Sequence, residues 1–351
     1  MKKKTVGFRK SHYHTSNAKV DALVEELLLA AGEHANDSYL REMITTVLRI
    51  REDEIETADI KLINTTLKEL WYSFKVFQPY RHIRKVAIFG SARTPRTAPD
   101  YKLTIDFAKR IVKAGWMVVT GAASGIMSAG NEGAGRANSF GVNIKLPFEQ
   151  EPNPTIANDS KLINFKYFFT RKLIFIRESD ATVLFPGGFG THDEGFETLT
   201  LVQTGKASPR PMVCIDPPKS TYWKAWRDFL NTQLARKKYI DPDDLGLVHF
   251  THDAQDAVRY VTHFYHNYHS SRYIDHRLVM RLKRPLKPQQ LARLNRSFKS
   301  ILKKGKIEQH FKPFEEEENE PHTFELARLA FYFNRRHFAK LMQLIDAVNE
   351  T

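Results

Sequence analysis

The amino-acid sequence predicts an α/β protein built on a Rossmann-like, doubly wound parallel sheet, with an N-terminal helical layer and a small C-terminal α+β appendage. Three observations predict it. Short runs that are apolar throughout recur from residue 86 onward, and helical patterns separate them. Strands that are apolar on both faces belong to a parallel sheet covered on both sides by crossover helices. Glycine-containing turns follow three of the runs, where such a sheet places its ligand.

Residues 18–78 come first. Val20, Leu23, Leu27 and Leu28, then Leu40, Ile44 and Leu48, then Ile63, Leu67, Leu70 and Trp71 recur at three- and four-residue steps, the spacing of amphipathic helices. Their expected role is to cover the main domain or a subunit contact. The apolar runs follow at 86–89, 116–119, 142–146, 181–185, 212–215 and 247–250, with helical stretches at 101–114, 168–177, 192–204 and 222–235. Beyond residue 265 the pattern changes. It predicts a strand at 272–282, a basic helix at 289–304, a strand or helix at 324–333, a helix at 336–348 and an exposed acidic loop at 315–320. The expected domains are 1–80, 81–264 and 265–351.

A chain of 351 residues with 42% hydrophobic content is long enough for a full α/β domain and flanking pieces. Its one cysteine, Cys214, excludes an intrachain disulfide and lies in an apolar run, as a buried inert thiol would. Residues 1–10 are basic but lack an apolar core, and no stretch approaches the roughly 18 apolar residues of a membrane span, so a cytoplasmic protein is expected. The formal charge of +14 is uneven: residues 265–313 hold thirteen basic side chains against Asp275 and Glu308. Arg293, Arg296, Lys299 and Lys303 recur at helical steps there. They are expected to bind an anion, either a phosphorylated regulatory nucleotide or nucleic acid, or to pair with the loop at 315–320.

The three turns are Gly90-Ser91-Ala92-Arg93, the segment from Thr120 and Gly121 through Ser124, Gly125 and Met127, and Pro186-Gly187-Gly188-Phe189-Gly190-Thr191. None ends in the Gly-Lys-Ser/Thr of a triphosphate loop, and the first does not match the dinucleotide fingerprint. Together they suggest backbone N–H groups arranged for a phosphate. Glu194 follows Thr191 by three residues and Glu197 lies one turn further on. Thr191 and Glu194 have the form of a capping box, which is the reading this turn supports when taken by itself. Alternatively, a carboxylate beside a bound phosphate serves hydrolysis at a sugar C1, whose transition state gains positive charge. Upstream, Arg171 and Lys172 sit at a helix start, where cations oppose the dipole, so function explains them better than stability does.

At this point the sequence resembles a known family. Pro186-Gly187-Gly188-Phe189-Gly190-Thr191-His192-Asp193-Glu194 matches PGGxGTxxE, and Phe169-Thr170-Arg171-Lys172 matches the Arg-Lys element of the LONELY GUY phosphoribohydrolases, long labelled lysine decarboxylases. The resemblance runs from about residue 86 to residue 261 and includes Gly90-Ser91, Ser124 to Met127, Asn131 to Ala134 and the stretch 143–150. It implies that Arg171 and Glu194 are catalytic and that Gly187, Gly188, Gly190 and Thr191 hold a 5′-phosphate. Gly90, Ser91, Ser124, Gly125, Met127, Asn131, Lys172 and Glu197 are expected to line the substrate site. The subunits are expected to pair as homodimers. The implied reaction is hydrolysis of the N-glycosidic bond of a nucleoside 5′-monophosphate, either AMP or a cytokinin riboside monophosphate, with no metal or redox cofactor. Ala122 and Ala123 stand where glycines are usual, and His192 where an aliphatic residue is usual; His192 is read as a surface or pocket-rim substitution. Two other readings remain. A non-catalytic nucleotide- or nucleic-acid-binding regulator would leave Arg171 and Glu194 unused, and a decarboxylase would need Lys172 to hold pyridoxal phosphate.

Overall fold

The computed structural model describes residues 13–145 and 151–350; the basic start at 1–10 and the end of the 143–150 stretch lie outside them. The chain divides into two compact units, residues 1–68 and 69–351. In the first, α1 (Ala18–Ala31) is capped by Asn17, whose side chain accepts from the Lys19 amide at 3.0 Å. It is followed by α2 (Asp37–Glu52). Glu25 pairs with Arg41 across them, and Ser16 Oγ donates to Glu52 at 2.8 Å. A third helix, α3 (Thr57–Phe77), runs on past residue 68 into the second unit.

The second unit is organised by a seven-stranded parallel sheet: β1 (Lys85–Phe89), β2 (Met117–Thr120), β3 (Ser139–Ile144), β4 (Leu162–Phe165), β5 (Ala181–Leu184), β6 (Met212–Ile215) and β7 (Val248–Thr251). The strand order is β4-β3-β2-β1-β5-β6-β7. The chain therefore works outward from β1 to one edge, returns to pair β5 with β1 in the register Val86↔Ala181, and works outward to the other edge. Every residue of β1, β2, β5 and β6 is buried, yet the side chains alternate between two cores. Val86, Ile88, Val118, Val183 and Val213 enter one. Ala87, Phe89, Val119, Leu184 and Cys214 enter the other. Burial on both faces is why these strands read as unbroken apolar runs. Cys214 is wholly buried, and burial pushes its thiol well above the ordinary range.

The crossover helices are α4 (Pro99–Lys113), α5 (Ile126–Ala134), α6 (Phe168–Glu178), α7 (Phe189–Gln203), α8 (Tyr222–Phe229) and α9 (Ala254–Phe264). Within the parallel-sheet region three elements had no counterpart in the sequence reading: α5, α9 and β4, an edge strand with only two of its four residues buried. Another difference is at α8, whose expected run to residue 235 ends in a wider π turn over Leu230–Ala235.

After α9 the chain forms an antiparallel sheet of order β10-β11-β9-β8, from β8 (Tyr268–Ile274), β9 (Arg277–Leu282), β10 (Leu302–His310) and β11 (Ala327–Phe333), with α10 (Pro288–Ser297) and α11 (Phe338–Asn349). Leu278, Met280, Leu282, Leu329, Phe331 and the α11 residues Leu341, Leu344 and Ile345 join the core that receives Val86 and Ile88. That shared core is why residues 265–351 belong to the same unit as the parallel sheet.

Three expectations for this region are corrected. The stretch 272–282 is a hairpin, turning through Asp275 and His276, both at positive φ. The basic helix ends at Ser297, so Lys303 lies on β10 and the four cations share no single helix face. The acidic loop is not simply exposed. Glu317 is fully buried between Arg281 and Arg328, at 2.6 and 3.0 Å, and Glu320 pairs with Arg281 at 2.6 Å. Glu317 and Glu320 are thus taken by β8, β9 and β11, because two buried guanidinium groups are tolerated only when paired, while Glu315, Glu316 and Glu318 are exposed.

Candidate active site

The loops after β1 and β5 meet at the point where the strand order reverses, and the Ser91 amide donates to Pro186 O at 3.0 Å. Between them, at the carboxyl ends of the strands, lies a cleft of about 730 Å³. Its walls are Phe89 to Arg93, Met127, Phe168, Arg171 and Gly187 to Glu194. A crevice at the switch point is the general ligand position of an open α/β sheet.

Close backbone packing builds the cleft. A side chain at Gly187 would stand 2.0 Å from Thr191 Oγ1 and 2.8 Å from the Ser91 amide. One at Gly125, which has φ +63°, would stand 2.2 Å from Ser91 O. A side chain at Gly121 would meet Arg171 Nη2 at 2.6 Å. These three glycines let the turns touch one another and the guanidinium. Ala122, in the position where a glycine is usual, adopts φ +62° and is fully buried, with its amide accepted by Thr120 Oγ1 at 3.0 Å. The left-handed conformation persists there, held by packing and that bond.

The geometry overturns the capping-box reading. The N-cap of α7 is Gly188, with no side-chain cap bond, so Thr191 already lies inside the first turn and Glu194 in the second. Glu194 is 6% exposed. Burial raises its carboxyl to about 7, partly offset by Lys172 and Arg171. Lys172 Nζ stands 3.8 Å from Glu194, 2.9 Å from Asp193 and 2.8 Å from Glu197. Burial alone would lower the Lys172 ammonium, but these carboxylates outweigh it and hold the pKa up. Arg171 donates from Nε to Val142 O at 2.9 Å, with its guanidinium 5.2 Å from the centre of the Phe175 ring. Burial draws its pKa down, and the carboxylates of Glu194 and Asp193 oppose that.

Of the fourteen residues expected at the site, Arg171, Glu194, Gly90, Ser91, Met127, Gly187, Gly188, Gly190 and Thr191 line the cleft. The other five stand behind it. Ser124 Oγ donates to Ala92 O at 2.8 Å, and Gly125 starts α5. Asn131 is fully buried, its oxygen accepting from Thr120 and Asn153 at 2.7 and 2.9 Å, which leaves it tying β2 to the segment after β3. Lys172 and Glu197 pair with each other.

Sequence reasoning missed two residues that position the site. Glu69 on α3 accepts from the Lys166 amide at 2.6 Å and from Thr170 Oγ1, placing a carboxylate by the start of α6, whose own N-cap side chain makes no bond. That charge favours the helix start that delivers Arg171. Tyr222 is the other. Its hydroxyl bonds Gly187 O and lies 2.7 Å from His192 Nε2. A carbonyl only accepts, so the tyrosine proton goes to Gly187 and His192 donates from Nε2. His192, at the rim, thereby holds the tyrosine that holds the glycine loop. Neither carries a local signal, since each acts on a loop far away in sequence. Tyr222→Phe is expected to lower kcat/KM about tenfold, mostly through KM, and to cost about 1 kcal/mol of stability. Steady-state kinetics and thermal unfolding check this.

Residues 120–261 match the family model described as "possible lysine decarboxylase". No curated protein matches the chain. Among solved structures, the molybdenum cofactor binding protein from Rippkaea orientalis is 18% identical over 51% of this chain and 94% of its own, with a TM-score of 0.36. The molybdenum cofactor carrier protein from Chlamydomonas reinhardtii is 20% identical over 51% and 96%, at 0.36. DNA processing protein A from Helicobacter pylori is 16% identical over 50% and 79%, at 0.35. The matched segment holds the second glycine turn, the Arg-Lys element and the Pro186 to Glu194 loop, so residues 120–261 are similar to the possible lysine decarboxylase family over the same motifs that carry the LONELY GUY resemblance.

Proposed function

We propose that the cleft binds a nucleoside 5′-monophosphate and hydrolyses its N-glycosidic bond to free base and ribose 5-phosphate. The observation that carries this reading is Glu194, a carboxyl buried at the cleft floor with its pKa raised to about 7, doing no capping and facing two cations. A group perturbed by burial beside specific partners in a cleft is a candidate for catalysis. The phosphate docks on the amides of the loop from Gly187 to Thr191 and the start of α7, fixing the sugar C1 near Glu194. The bond to the base breaks with its electron pair leaving on the base nitrogen, the carboxylate stabilises the cationic sugar, and water adds its oxygen to C1 while its proton ends on the departed base. Arg171 orients the ribose or Glu194 itself. Lys172 serves this reading better than it serves a Schiff base, since three carboxylates hold it protonated.

Incubation with a panel of nucleoside monophosphates, followed by assay of free base, tests the proposal. At least one purine nucleotide, AMP or a cytokinin riboside monophosphate, is expected to react, and its dephosphorylated nucleoside about 10²-fold or more slowly. Equal rates for the two would remove the role given to the glycine loop.

A further inference from the structure

The parallel sheet carries a second cavity, of about 620 Å³, at the opposite end of its strands. Arg84 immediately precedes β1, Asp180 precedes β5 and Arg210 stands just before β6, while His269 and Lys283 come from the β8 and β9 ends of the antiparallel sheet. Arg81 and Arg177 complete a lining of five Lys and Arg side chains. Only Asp180 opposes them within the lining, and it is already bound by Arg84 at 2.7 Å. Glu178, 3.7 Å from Arg177, adds a second carboxylate and still leaves a surplus of positive charge.

Arg210 is 7% exposed. Its Nη1 donates to Ile176 O at 2.7 Å, but its buried Nε has no hydrogen-bond partner among the described residues. A buried cation short of partners is costly unless an anion completes it. Arg84 is held in place by Asp180, by His269 O at 2.9 Å and by the face of Tyr265, 3.6 Å from its centre. Burial first, and then Arg84, Lys283 and Arg281, drive the His269 imidazole down to about 4, so it stays neutral near pH 7. The hydroxyls of Ser208, Ser270 and Ser271 add neutral donors. The cavity is also too large and too highly charged for one orthophosphate.

We propose that this cavity binds a compact polyphosphate, inorganic or carried as the phosphate chain of a nucleotide, through Arg81, Arg84, Arg210 and Lys283. Guanidinium groups match phosphate oxygens bidentately, and fixed ones lose little freedom on binding. This moves the expected anion site away from the α10 face, although Lys283, His269 and the two serines of β8 still come from the basic 265–313 segment.

Calorimetry on the full chain at low salt, with tripolyphosphate as the probe, tests it. One tripolyphosphate is expected to bind per chain, and Arg81→Glu with Lys283→Glu to weaken it about tenfold or more. Arg171→Ala, in the other cleft, is expected to leave it unchanged. Should the double variant fail to fold by circular dichroism, Arg177→Glu at the exposed mouth is expected to weaken binding severalfold. A nucleoside triphosphate that binds tighter than tripolyphosphate identifies a nucleotide as the source, and equal affinity identifies inorganic polyphosphate. The assignment is overturned if tripolyphosphate does not bind, if Arg171→Ala abolishes binding, if the folded charge-reversed variants bind as wild type does, or if citrate at matched ionic strength binds equally well.

Discussion

Glu194→Gln is expected to lower kcat about 10³-fold and, at pH 8, to raise the melting temperature. The two effects have one cause. In the folded chain the carboxyl titrates near 7, above its ordinary 4.5, so the folded state binds a proton more readily than the unfolded one. Ionised Glu194 therefore costs stability, fully above pH 7, and that cost fades as pH falls and is gone below about 4.5. The whole shift corresponds to roughly 3 kcal/mol. Gln keeps the shape without the charge but buries a polar amide in its place, so a net gain of about 1–2 kcal/mol is expected at pH 8 and little at pH 5. The rate has the opposite dependence. Stabilising a cationic sugar needs the carboxylate, so wild-type kcat/KM should fall as pH drops through about 7, and the residual kcat/KM of Glu194→Gln should lack that step. A variant retaining more than a tenth of the wild-type kcat would show that the carboxylate does not stabilise the transition state.

Arg171→Ala is expected to cost about 10²–10³-fold in kcat/KM, with the larger share in KM. The guanidinium is held from behind by Val142 O and by the space that Gly121 leaves, so its position belongs to the cleft and not to the mobile end of a side chain. Arg171→Lys restores the charge but not the Nε–H that bonds Val142, so it should recover only part of the loss. Kinetics of both variants on the preferred nucleotide provide the check. If alanine changes kcat/KM by less than threefold, Arg171 only anchors α6 to β3.

What the sequence determined by itself is whatever is encoded locally. Unbroken apolar runs mark strands buried on both faces, and they placed six of the seven parallel strands to within a few residues. Only β4 escaped, because Asn164 and the flanking Lys161 interrupt its apolar pattern. The glycine turns, Arg171 and Glu194 were legible because close backbone contact and a charge at a helix start restrict the residue at each position. The appendage was harder to read. Its hairpin and β10 mix charges with apolar residues, and Arg281, Arg328 and Glu317 look like surface until their pairing buries them. Only the tertiary structure decided that Glu194 is no cap, since the helix begins at Gly188 and leaves the carboxyl a turn inside, dry and beside Lys172. Only it brought Tyr222 under Gly187, Glu69 to the start of α6, and four distant cations around Arg210. Each of these is a contact between residues far apart in the chain. A local pattern records what a residue prefers, whereas burial and partners set its charge and its work, and these exist only once the strands have been ordered.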